Sequence, residues 1–130
     1  MVTNQEFTIT GIAGQTFTSA DQYKAVKVDS SATDVSMLVD LCGANAASIG
    51  FLKSDSGVDG VTPVEVVTFG TTKALAGAAV TVNAYLKTDA SGKVIPVTSN
   101  NDIIVAQALS AASADAEVIK VRIVNAYYGA

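Results

Sequence analysis

Surface chemistry needs a nucleophile, a base or a set of ligands, and this chain is poor in all three. It has no histidine, one cysteine, three glutamates and nine aspartates. Without imidazole the usual general base is missing, and with it the hydroxyl activation that serine catalysis requires. The serine–lysine alternative is closed too, because no serine is followed three positions later by lysine. Cys42 lies in Val39-Asp40-Leu41-Cys42-Gly43, a context that reads as a small buried apolar side chain rather than a nucleophile. Paired carboxylates can hydrolyse glycosides, but most of these fall in turns, where aspartate bonds its own backbone. Asp55-Ser56-Gly57-Val58-Asp59-Gly60 offers two carboxylates for calcium, yet it lacks the spacing of a calcium loop and reads as a surface turn. No phosphate-cradling glycine pattern occurs, and Gly11-Ile12-Ala13-Gly14 is too short to be one. The chain is therefore expected to carry no catalytic, cofactor-binding or metal-binding residue. Its function is expected to lie in surfaces.

Composition narrows the partners. The net charge is −4, the pI is near 4.5, and the eight basic residues are scattered. With no basic run, neither nucleic acid nor an anionic membrane is an expected partner. No apolar run of about 18 residues is present for a transmembrane helix. The opening MVTNQEF has neither the basic nor the apolar region of a signal peptide, so synthesis and use from the cytoplasm are expected. Hydrophobic residues make up 49% of the chain, but aromatics only 6%. A core of alanine and valine is shallow, and oligomer contacts are expected to complete the burial.

The elements that must build those surfaces are strands. The stretch from Pro63 to Val97 carries β-formers in short runs punctuated by Gly70, Gly77 and Gly92. Asp89-Ala90-Ser91-Gly92 reads as a turn, folding Ala84 to Thr88 back on Lys93 to Val97. Further strands are read at Tyr23–Val28, Val35–Cys42, Ile49–Leu52, Ile103–Leu109 and Glu117–Val124. In the last of these, Ile119, Val121 and Ile123 face one way and Lys120 and Arg122 the other. The expected class is mainly β with little or no helix: one small β-sandwich or β-barrel domain over residues 21–130, preceded by an extended arm over residues 1–20. That arm is threonine-rich, glycine-broken and anchored only by Phe7, Ile9, Ile12 and Phe17. Within it Glu6–Thr10 alternates, with Phe7 and Ile9 on one face, a pattern able to pair as an edge strand; the arm as a whole reads either as a frayed terminus or as a segment ordered by a partner. Tyr127 and Tyr128 at the far end read either as contact residues or as a lid on the core.

Several of these segments resemble those of the capsid decoration (head cement) proteins of tailed bacteriophages. They are Tyr23-Lys24-Ala25-Val26-Lys27-Val28 after a polar arm, Ile49-Gly50-Phe51-Leu52, and Pro63-Val64-Glu65-Val66-Val67-Thr68-Phe69-Gly70. The hairpin Asp89-Ala90-Ser91-Gly92-Lys93-Val94-Ile95-Pro96-Val97 and the closing Ala114–Ile123 strand complete the set. The chain departs from that family at Ile104-Val105-Ala106-Gln107, which has no glycine. The resemblance implies a non-catalytic homotrimer on the outer surface of the virion head, bound to the major capsid protein at threefold or quasi-threefold positions. It implies capsid contact through Phe7, Ile9, Ile12 and Phe17, with Tyr127 and Tyr128 as an oligomer contact. A tail-tube or fibre subunit, and a small carbohydrate-binding β-sandwich, are the rival readings.

Overall fold

A computed structural model describes the protein over residues 6–29 and 37–127. The described residues form nine strands: β1 (Glu6–Ala13), β2 (Ala25–Val28), β3 (Leu38–Leu41), β4 (Gly50–Leu52), β5 (Pro63–Leu75), β6 (Tyr85–Thr88), β7 (Val94–Pro96), β8 (Ile103–Ala108) and β9 (Val118–Tyr127). The only helical element among them is one 3-10 turn at Ser19–Asp21. The fold is mainly β, a single nine-stranded sheet in the order β1-β3-β2-β4-β5-β9-β8-β6-β7.

The sheet folds back on itself twice. β1 runs parallel to β3 and antiparallel to β5, so the first five strands close into a ring. The pairings from β5 through β9, β8 and β6 to β7 form the second half. A parallel bridge between Ala76 and Val94 returns β7 to the end of β5. The two rings share β5.

That sharing depends on Gly70. The valine run from Val64 was expected to stop there, but β5 continues through it for 13 residues. Gly70 takes φ +93°, a conformation costly for any residue with a Cβ. The strand turns at this point: residues up to Gly70 pair with β1 and those from Thr71 pair with β9. A glycine in a strand here marks a bend rather than an end.

Alternation divides the apolar residues between two cores. Ala13, Phe17, Val26, Val39, Leu52, Val64 and Val66 fill the first ring. Their strand neighbours Ala25, Phe51 and Val67 point the opposite way and join Leu86, Val94, Val105, Ile119, Val121 and Ile123 in the larger core. β4 is consequently buried at all three positions. Gly50 permits this, since a Cβ there would collide with the Val67 carbonyl. The connection after β3 is tied across the rings as well. Thr88, buried, donates its hydroxyl to the Gly43 carbonyl at 2.7 Å and accepts from the Ala46 N–H at 3.0 Å.

The expected hairpin forms between β6 and β7, with Asp89 Oδ1 accepting from the N–H groups of Ser91 and Lys93. On β9, Ile119, Val121 and Ile123 are buried while Lys120 and Arg122 face out, as their alternation requires. Cys42 is also buried, and desolvation pushes its thiol up to about 11.

Candidate interaction surfaces

The opening segment, from Glu6 onward, is a strand of the sheet. Seven of its residues face partners along β5. A register shift between Phe7 and Thr8 places Phe7 directly opposite Phe69. Such a bulge moves the following side chain to the other face of the pleat, which brings Phe69 out of the core and beside Phe7. Their ring centroids are 5.8 Å apart at 47°, and the two side chains are 67% and 65% exposed. Ile9, two positions along the same strand, is 40% exposed. Two paired phenylalanines with an isoleucine on one surface form an apolar patch of the kind that marks a contact site.

The four residues expected to make contact therefore divide. Phe7 and Ile9 stand on the surface, and Phe69 joins them from β5. Ile12 is partly buried, its backbone held between Leu38 and Pro63. Phe17 is 2% exposed in the first core, and its backbone exchanges hydrogen bonds with Gly57 at 2.8 and 3.1 Å. A ring so enclosed has no face to offer a partner; it pins the Lys53–Thr62 loop instead. Of the two tail residues, Tyr127 ends β9 with its backbone opposite Ile103, and Tyr128 lies outside the described residues.

A second surface gathers charge from distant parts of the chain. Lys73 on β5 stands directly opposite Lys120 on β9, and Arg122 follows two positions along β9. The Lys73 ammonium lies 5.6 Å from the centroid of the Tyr23 ring, within cation–π reach. A groove of about 500 Å³ runs beside them, lined also by Glu6, Lys53 and Val118. Glu6 and Lys53 are paired at 2.6 Å, and the bond raises the Lys53 pKa.

Two carboxylates are shifted strongly and in opposite directions. Asp102 is buried and accepts from the Thr98 and Ser99 N–H groups at 2.8 and 2.9 Å and from Lys87 at 3.0 Å. These bonds, the backbone ones foremost, hold it far below the usual carboxylate range. Asp40 is pushed up to about 6, first by desolvation and then by Asp29 beside it. One of its oxygens, Oδ1, is buried without a hydrogen bond. The signs are opposite. Asp102, with a depressed folded pKa, contributes stability above its unfolded pKa of about 3.8, and this is lost as pH falls through that value and below. Asp40, with a raised one, contributes stability at low pH that is lost as pH rises from about 4 to about 6. Thermal unfolding of the wild type and Asp40→Asn across that window is expected to show Tm declining for the wild type relative to the variant. Above about pH 7 the difference should stay constant.

No family profile matches the chain, and no curated protein matches it by sequence. Among solved structures it is similar to "the crystal structure of head fiber gp8.5 N base in bacteriophage phi29", at 14% identity and a TM-score of 0.72, over 97% of this chain and 100% of that one. The chain and that fiber base share one fold.

Proposed function

We propose that this protein is a non-catalytic structural component of a phage virion, bound to the outside of the head. The observation that supports it is the fold held in common, end to end, with the N base of a phage head fiber. The chemistry of the chain agrees: it lacks histidine, and its unpaired apolar surface is a patch rather than a cleft. As a decoration protein it would bind the major capsid protein at threefold or quasi-threefold positions as a homotrimer, bridging neighbouring subunits. Three such subunits grip far better than one, because the second and third dock at high effective concentration. An acidic exterior keeps many neighbouring copies soluble. Phe7, Ile9 and Phe69 are the residues proposed to meet the capsid.

The same likeness supports a second reading to a comparable degree, in which the domain is the base of a fibre on the head. Electron microscopy of heads mixed with purified protein separates the two. Compact density at threefold positions is expected for decoration, and sparse projecting stalks would favour the fibre. Heads that emerge bare would overturn both.

A further inference from the structure

The outer face of β5 and β9 gathers three cations. Lys24, Lys53, Lys87 and Lys93 each pair with a carboxylate at 2.6–3.1 Å. Among the described residues Lys27, Lys73, Lys120 and Arg122 make no such pair, and the last three sit together. Lys73 and Lys120 are direct cross-strand neighbours, an arrangement of like charges that destabilises a sheet. The guanidinium of Arg122 binds only the neutral Gln107 Oε1, at 2.7 Å. Beneath Lys73, Tyr23 holds φ +71°, a left-handed conformation that costs a tyrosine of order 1 kcal/mol. The Tyr23 N–H donates to the Leu52 carbonyl at 2.7 Å and its carbonyl accepts from the Leu75 N–H at 3.0 Å, which fixes it there. A strained aromatic under one of three uncompensated cations is an unusual feature on a chain of net charge −4.

We propose that this face is a second docking surface, which takes an extended acidic segment of a partner protein with carboxylates at alternate positions. Alternate side chains of an extended chain lie about 6.4–6.8 Å apart, the same repeat that separates Lys120 from Arg122 on β9. Lys73 then shares the carboxylate over Lys120, and the half-exposed Val118 receives an apolar neighbour. A protein segment fits better than nucleic acid. The cationic face is only three residues wide, too few phosphate contacts for a long polyanion to be held firmly. This docking is independent of how the aromatic patch is used.

The test is fluorescence anisotropy with a labelled peptide of alternating glutamate and threonine, at about 20 mM salt, where screening is weak. Saturable binding is expected. Lys73→Glu with Lys120→Glu should weaken it about tenfold or more, the effect of two charge-assisted contacts. Lys27→Glu, an equal charge change on the exposed end of β2, should leave binding within about twofold. Lys120→Glu alone should also raise Tm, because it sets opposite charges across the β5–β9 pair. The milder Lys73→Gln with Lys120→Gln carries the same binding expectation and cannot unfold the chain through new repulsion. Absence of peptide binding, an equal loss with Lys27→Glu, or tighter binding of an oligothymidylate of the same charge would each overturn the proposal.

Discussion

Phe51→Ala is expected to cost about 3–5 kcal/mol, the range for an aromatic side chain removed from a packed core. The size follows from where the ring lies. Phe51 belongs to β4 in the first ring of strands, yet it is 1% exposed within the core of the second. Its backbone pairs with Ala25 on one side and Val67 on the other, and both of these share its core. Few residues around it are large: alanines and valines supply most of the neighbours, so the void has little to fill it. Against a total stability of about 5–15 kcal/mol for a domain of this kind, the loss is severe. Urea unfolding checks it. A single transition shifted to lower midpoint is expected, because the same residue serves both halves. Two separate transitions in the wild type would show that the rings unfold independently.

The second large effect is on binding. Phe7→Ser combined with Phe69→Ser is expected to abolish attachment to heads while leaving Tm nearly unchanged. Both rings are about two-thirds exposed, so burying the remainder against capsid is worth roughly 1–2 kcal/mol each. Losing both weakens each subunit site by about 2–4 kcal/mol, or some 30- to 1,000-fold. In a trimer the loss compounds across three sites. Substitution is the better tool than truncation. Deleting residues 1–17 removes β1, with Ala13 and Phe17 from the first core, and would unfold the ring rather than strip a contact. Co-sedimentation of the double variant with heads reads the effect. Retained binding would move the capsid contact elsewhere on the protein.

What could be read from the residues, and what could not, follows the range of the forces involved. The β6–β7 hairpin and the alternation of β9 were legible because a local turn and a two-residue period fix them. The rings were not legible, since their closure rests on the parallel β1–β3 pairing and the Ala76–Val94 bridge, both between segments far apart in the chain. Gly70 was misread as punctuation because a glycine that ends a strand and one that bends it have the same letter. Phe17, expected to meet a partner, lies in the first core, and Phe69, read only as part of a strand, stands exposed, for similar reasons. The loop around Gly57 folds over Phe17, and the register shift at Thr68 of β5 turns Phe69 outward. Neither a loop's return path nor a bulge has a signature in the run of valines beside it. Lys73 and Lys120 are 47 positions apart in number and meet only across the β5–β9 ladder, so the scatter of basic residues along the chain concealed a cluster in space.

Purified protein incubated with phage heads assembled without it, then imaged by cryo-electron microscopy, tests the central claim most directly. The account predicts added density on the outer shell, with the Phe7–Phe69 face turned toward the major capsid protein. Shells left undecorated at saturating protein, while the protein itself remains folded, would contradict it.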